Sequence, residues 1–415
     1  MPVLPLPTRR PFDASPLRQE DNWTAQLGDW FITRPLTMGL LRRFRPMPKF
    51  RGLRLITRYD DVQEALSRPD AFQVPWAAKM QRLAPSRQPF VLATDDVAQH
   101  RRAQRPLMQV FRREDVPRTS AMAARAARRI VDGANGEIDA LKDLISTVPF
   151  ALYRDYYGLR ALDDGFILRL MDISNYTFRK VGPDPAAEPY AVAAMAGVAE
   201  AVKDAVAKVP QDPETIVARL VELQRQAPAA LPDDDLCSML IGMVAGFAPV
   251  FTMAGASILD VLLERREAMA ASRQAAYVGD DEALARCLLE ALRLRPINPG
   301  AWRVCAQDVT IAAGTSWATP IRRGETVLVL LQSAMRDGER VRDAGRFDPG
   351  RPASDSMVFG HGLHWCIGAP LATGVLTQTF KPLLLRGFRR APSGRGQIRR
   401  LGAIPERMSL ILGPR

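Results

Sequence analysis

Apolar and polar positions alternate in two ways along this chain. From Gly52 to Arg58 apolar and basic residues interchange with the period of a strand, and the pattern predicts a helix from Tyr59 to about Ser67. A second short strand is expected at Phe72-Gln73-Val74, followed by a Pro-, Arg- and Gln-rich stretch that reads as a loop up to Pro89. From about Asp95 to Arg225 the period becomes helical, with Ala-rich segments at Met122 to Ala134 and Tyr190 to Val209. Breaks at Gly182-Pro183-Asp184-Pro185 and Pro210-Gln211-Asp212-Pro213 are too short to be domain linkers. Further on, a helix is expected from Asp281 to Arg295, strands at Val309 to Ile311 and Thr326 to Leu330, and a last helix from Ala369 to Arg386.

The longest apolar run is Leu236 to Leu259, 24 residues without a formal charge. The preceding Asp233-Asp234-Asp235 is expected to supply an N-cap and a partner for the helix dipole. By length the run suits a membrane span, and Gly242 with Gly246 fits a helix-contact motif. Pro249 near its centre, and the absence of a second such run, favour a helix buried through a large globular domain instead. Small residues at Ala245 and Gly246 would let a flat cofactor approach its backbone.

Composition narrows the class. Hydrophobic residues make up 47% and charged residues 25%, values of a globular protein that exclude disordered and fibrous readings. The 415 residues allow two or three ordinary domains or one large one. The four cysteines, Cys237, Cys287, Cys305 and Cys366, are widely spaced and read as reduced thiols of a cytoplasmic protein. The net charge of +12 is mostly dispersed arginine, with no block resembling a nucleic-acid arm. A basic face for an acidic partner or an anionic ligand is one reading, and a solvated Arg-rich surface is the simpler one. Met1 to Pro16 is proline-rich and lacks the apolar core of a signal peptide. Residues 1–50 are expected to form an arm on the surface of one large domain, 51–415.

The chemistry concentrates in Phe359-Gly360-His361-Gly362-Leu363-His364-Trp365-Cys366-Ile367-Gly368. Glycines around one cysteine suit a loop that presents a thiolate to a metal, with Gly362 and Gly368 allowing turns that a Cβ would obstruct. The competing reading is a buried structural cysteine beside a glycine-rich turn. The run resembles the haem-binding loop of the cytochrome P450 family, Phe-Gly-x-Gly-x-His-x-Cys-x-Gly, with every specified position filled. The resemblance implies a mainly α fold with small β-sheets, haem b as cofactor and Cys366 as the metal ligand. It places Phe359, Gly360, His364 and Gly368 around the cofactor.

Other segments fall in the family's order. Glu290-Ala291-Leu292-Arg293 matches its Glu-x-x-Arg pair, and Arg346, in Arg346-Phe347-Asp348-Pro349, is expected to join that pair. His100 resembles the histidine of the family's His-x-x-x-Arg helix, but the fourth residue on is Gln104, with Arg105 next; Arg303 occupies the propionate-binding strand position. These four residues complete the set of cofactor contacts that the resemblance implies.

The departure lies in the long helix. Where the family has an acid and an alcohol that deliver protons for O–O cleavage, this chain has Ala245-Gly246-Phe247-Ala248-Pro249. Pro249 is expected to bend or open the helix, and Thr252, one turn on, is the remaining alcohol. By resemblance, substrate contacts fall in Gln73 to Leu92, Phe166 to Ala199, Phe247 to Phe251 and Ile297 to Trp302. Lys79, Arg82 and Arg87 offer charge to a substrate carboxylate, although a solvated loop is the preferred role.

The function so implied is a monooxygenase of secondary metabolism, oxidising a mid-sized apolar molecule with or without a carboxylate. It would draw electrons from a ferredoxin-type partner, with no nucleic acid and no membrane span involved. One alternative is peroxide-dependent or hydroperoxide-rearranging chemistry, because the proton-handling pair is absent. The other is a catalytically idle haem-binding protein.

Overall fold

The computed structural model describes residues 16–18, 31–84 and 89–414. Residues 1–15 and 19–30 of the expected arm, and Arg87, lie outside the described residues. The architecture is mainly helical, with small sheets at the margins.

The helical core grows from small and aliphatic faces. Helix Val116–Gly133 turns Ala123, Ala127 and Val131 inward, where they meet Val375, Leu376, Phe380 and Leu383 of helix Ala369–Arg386. Alanine on one side brings the two axes close enough for larger side chains on the other to fill the interface. Phe380 is 1% exposed, so its burial alone contributes about 1.5–3 kcal/mol. The same cluster takes in Ile258, Leu259 and Leu262 of helix Ala248–Glu264. The helix that follows the cysteine is therefore anchored along its length before the loop is considered.

The main sheet contains β1 (Lys49–Phe50), β2 (Leu53–Ile56), β3 (Phe72–Gln73), β4 (Ala301–Cys305) and β5 (Thr326–Val329), in the order β1-β2-β5-β4-β3. β2 runs parallel to β5, with Leu53 opposite Thr326, and the other pairings are antiparallel. Arg303 in β4 stands opposite Val327, which fixes it in the sheet interior. Helix Pro35–Phe44 packs Met38 against Leu55, Leu328 and Leu330 of this sheet. That part of the first fifty residues is integral to the sheet layer.

Several expectations are corrected. The stretch expected as a loop before Pro89 contains helix Ala77–Leu83. Lys79 on it is 2% exposed, and its ammonium donates to the carbonyls of Tyr176 and Lys180 at 2.9 Å each. Those carbonyls lie at the C-terminal end of helix Phe166–Phe178, where a cation is favoured, so Lys79 ties two helices together. Its charge is spent on the fold. Asp233-Asp234-Asp235 forms the first turn of helix Asp233–Ala245, whose N-cap position is Pro232, so the acids face the dipole from inside the helix and do not occupy the cap position.

The long apolar run is two helices, Asp233–Ala245 and Ala248–Glu264, broken at Gly246-Phe247. Over Asp233–Glu264 the run is long and apolar enough to cross a membrane, and 61% of its most apolar window is buried inside the fold. Gly242 serves close packing within the chain: a Cβ there would lie 2.5 Å from the Phe90 ring.

Candidate functional site

The cysteine loop is closed by backbone bonds, Gly360 N–H to Met357 O and Cys366 N–H to Phe359 O, both at 2.9 Å. Gly360 and Gly362 take left-handed φ values of +80° and +68°. At Gly362 a Cβ would also lie 2.4 Å from the Leu66 carbonyl oxygen. Gly362→Ala is therefore expected to destabilise the protein by roughly 1–3 kcal/mol, read as a lower denaturant midpoint; an unchanged midpoint would show that the loop can shift. Gly368 differs from expectation. Its φ of −82° suits any residue, and a Cβ would meet Cys366 Sγ at an ordinary 3.8 Å.

Cys366 sits at the N-terminal end of helix Ala369–Arg386. Although the residue is open to solvent on one side, the protein packed around its sulfur pushes the thiol pKa up, while the backbone N–H groups of Gly368 and Ala369, which hydrogen-bond the sulfur, pull it down. The net direction is upward, so the free side chain is a thiol. A metal cation at the sulfur would displace the proton and find those N–H donors already aimed at the resulting charge.

Behind the loop lies a buried ionic unit. Glu290 accepts from Arg293 Nε at 2.7 Å and Nη2 at 2.8 Å, and both side chains are under 5% exposed. The third member is Arg351, whose Nε donates to Glu290 at 3.2 Å. Arg346, expected in that role, contributes only its carbonyl, accepting from Arg293 at 3.2 Å, and its side chain is exposed. The turn around Gly350 carries the chain back so that Arg351, five residues later, faces inward, with Asp348 N–H also donating to Glu290.

A second polar cluster gathers residues from four separate segments. His364 Nε2 bonds Asp95 Oδ1 at 2.8 Å, and the His100 and His364 rings meet edge to face at 5.3 Å. Asp95 is itself held by the Val74 N–H at 2.8 Å. Arg303, 5% exposed, donates to the Trp302 carbonyl and lies over the Trp76 ring at 5.9 Å. Burial lowers the Arg303 pKa to about 10 against a rise from Asp95, and lowers His100 to about 4, reinforced by His364. Both shifts register that burial disfavours the charged form, which leaves the His100 ring neutral and Arg303 still a cation.

The Nδ1 atoms of His100 and His364 are buried without a hydrogen-bond partner. The buried Arg303 guanidinium is the fixed donor here, and a ring nitrogen of either histidine joins it wherever it carries the proton, so the site is suited to carboxylates, which is what haem propionates are. Gln104, one turn after His100, is half-buried on the same face, whereas Arg105 is exposed. His361 bonds Ser67 Oγ at 3.1 Å and belongs to the loop's outer contacts.

The helix break comes near the cysteine loop through Tyr157, which is electrostatically coupled to the Cys366 sulfur and whose ring stacks on Phe247 at 6.3 Å and 14°. Gly246 and Val250 are exposed on an otherwise buried helix, as Cys366 is in the loop. Thiol, carboxylate-binding cluster and small-residue helix together fit haem. An apolar cavity reaches the break, with Phe90, Leu92, Ile173, Met195, Ala245 and Gly246 among its walls. Ala248 and Pro249 are buried and are not among them. Thr252 is 0% exposed, and its hydroxyl donates to the Ala248 carbonyl at 2.9 Å and lies 3.3 Å from Ser146 Oγ. Of the residues considered for proton handling, only Ala245 and Gly246 face the cavity, and neither has a proton to give.

Asp95, Trp76 and Arg351 were not legible as site residues. Asp95 reads locally as a helix-start acid beside Asp96, the actual N-cap, and nothing near it in sequence signals His364.

The comparisons with known proteins agree with this geometry. The family described as Cytochrome P450 matches residues 278–401, the span from the Glu290 helix through the cysteine loop. Cytochrome P450 107B1 of Saccharopolyspora erythraea is 27% identical over 335 residues, covering 77% of this chain and 78% of that protein. Mycinamicin IV hydroxylase/epoxidase of Micromonospora griseorubida is 27% identical, covering 80% and 81%. The open structure of cytochrome P450 Eryk from S. erythraea superposes with a TM-score of 0.75 at 22% identity, covering 94% of this chain and 96% of that one. Thiolate loop, buried Glu-Arg unit and helical scaffold thus occur together in one chain whose relatives are hydroxylases and monooxygenases: it belongs to the cytochrome P450 family, oxidoreductases of the monooxygenase class with haem b as cofactor.

Proposed function

We propose that this protein inserts oxygen into a mid-sized, apolar small molecule, using electrons delivered by a ferredoxin-type protein in the cytoplasm. The observation that carries this reading is the apolar cavity whose walls include Ala245 and Gly246, at the break in the helix next to the cysteine loop. Haem b, when bound, supplies the redox chemistry that activates the oxidant. Cys366 would ligate the iron, Gly368 and Ala369 N–H groups would hold charge on its sulfur, and His100, His364 and Arg303 would hold the propionates. The walls exclude water and orient the substrate through shape, because few polar groups are available to do so.

Four free thiols suit a reducing compartment. Exposed Arg101, Arg102, Arg105 and Met108 lie on helix Val97–Val110, which contacts the loop through His100 and His364. With exposed Trp365 they form a basic and apolar face suited to an acidic electron donor. A role in secondary metabolism is in keeping with a relative named as mycinamicin IV hydroxylase/epoxidase. Residues 51–415, together with helix Pro35–Phe44 and the strand Lys49–Phe50 that belong to the same sheet layer, are read as one haem domain.

A second reading, peroxide-driven or hydroperoxide-rearranging chemistry, is favoured by Ala248 and Pro249 at the acid and alcohol positions and by the enclosed Thr252 hydroxyl. Incubating holoprotein and a ligand-screen hit with H2O2 alone, or with a reductase, ferredoxin and O2, separates the two. Product only in the second mixture supports the proposal; product only with peroxide overturns it, and no product in either points to an idle haem protein.

Arg303→Leu checks the carboxylate cluster. Losing one charged hydrogen-bond donor is expected to speed haem transfer to an acceptor protein by roughly 10- to 100-fold. An unchanged rate would remove Arg303 from the haem contacts.

A further inference from the structure

The break in the long helix contains a hydroxyl group from a different helix. Tyr153 O–H donates to the Val244 carbonyl at 2.6 Å, and the same oxygen accepts the Ala248 N–H at 2.9 Å. Val244 and Ala248 are four residues apart, so in an unbroken helix these two groups would bond each other. The phenol oxygen is interposed in that bond. The next bond in the ladder is also missing, because Pro249 carries no N–H for the Ala245 carbonyl. On either side the ladder resumes, with Gly246 N–H to Gly242 O at 3.0 Å and Phe251 N–H to Phe247 O at 2.9 Å.

Tyr153 is held in this position from all sides. It is 0% exposed and opens the π-helical turn Tyr153–Tyr157. Its ring meets Tyr157, Phe166 and Phe247 edge to face at 5.2, 5.6 and 5.8 Å. Burial raises its pKa well above the ordinary phenol range, so the group stays neutral and can donate and accept at once. Phe247, the residue at the break, is gripped by Tyr153 on one side and stacked by Tyr157 on the other.

We propose that Tyr153 is a positioning residue that holds the helix open at Gly246-Phe247, so that the groove over the cofactor is built into the resting fold. The opening then needs no water or ligand to create it. Val244 O and Ala248 N–H are both occupied by the phenol and cannot relay protons. The Ala245 carbonyl, deprived of its donor by Pro249, is a backbone acceptor left to hydrogen-bond a substrate hydroxyl or a water. Tyr153 thus narrows what the missing acid-alcohol pair can be replaced by. The inference rests on the family assignment only for what the groove faces; the bridge itself is a property of the protein fold.

The test is hydrogen exchange, followed by mass spectrometry, of the peptide spanning 243–251 in holoprotein, for wild type, Tyr153→Phe and the control Tyr157→Phe. In wild type the Ala248 amide is expected to be protected with and without an azole ligand. In Tyr153→Phe exchange is expected to rise roughly five- to tenfold, the ratio for one net hydrogen bond, with an altered resting haem spectrum and weaker or stronger azole binding. Tyr157→Phe should leave the exchange unchanged. Fast exchange in wild type, or a folded Tyr153→Phe with wild-type exchange and ligand spectra, overturns the proposal. The wild-type arm decides even if the variant fails to fold. Loss of thiolate-type absorption in wild type would instead count against the family reading, and is seen separately in the reduced carbon monoxide spectrum.

Discussion

Cys366→Ala is expected to give a folded protein that has lost the red-shifted carbon monoxide absorption of a thiolate-ligated haem, and with it all detectable turnover. Folding should survive because the loop is closed by backbone groups, Cys366 N–H to Phe359 O and Gly360 N–H to Met357 O, which alanine retains. The following helix is anchored independently by Val375, Leu376 and Phe380. What alanine removes is the sulfur toward which Gly368 and Ala369 direct their N–H groups. As a ligand, the sulfur would supply electron density to the haem iron, so the expected loss falls on chemistry rather than on shape. Circular dichroism and the reduced carbon monoxide spectrum of the same sample check both halves. A variant with wild-type absorption and turnover would remove Cys366 as the ligand.

Glu290→Ala is expected to be the most destabilising single change in the proximal scaffold, at about 3–5 kcal/mol. One carboxylate there accepts from Arg293 Nε and Nη2, Arg351 Nε and Asp348 N–H. Truncating it leaves two buried guanidinium groups facing each other. Arg293 retains the carbonyls of Met335 and Ala344, at 2.6 and 2.9 Å, but these do not neutralise charge. The urea midpoint is the readout, with Arg346→Ala and Arg351→Ala as a paired comparison. Arg346→Ala should stay within about 0.5 kcal/mol of wild type because its side chain is exposed. Arg351→Ala should fall well below it. Equal effects at 346 and 351, or a mild effect at 290, would show that the unit is not held as described.

The two predictions and the Tyr153 bridge divide the labour of the site. The proximal side is rigid because ionic and backbone bonds over-determine the loop. The distal side is kept open by an oxygen inserted into the helix ladder, together with Pro249. The substrate face between them is apolar, so selectivity depends on how Phe90, Ile173 and Met195 pack.

What the sequence determined alone was local and ordered: the cysteine loop, the Glu290-Arg293 pair, the final helix from Ala369 to Arg386 and the mainly helical class. These were legible because each is a short pattern whose members are neighbours in the chain, either in one turn of helix or in one loop. The structure decided what depends on distant segments meeting. Arg351 replaced Arg346 because the direction a side chain takes after a turn depends on backbone geometry that spacing does not encode. Lys79 went inside because two carbonyls at the end of another helix could receive it. Gly242 answers to a phenylalanine 152 residues earlier. Pro249 announced a disturbance in the long helix, but the oxygen of Tyr153 that holds it open comes from 91 residues before Val244, and only packing could bring the two together.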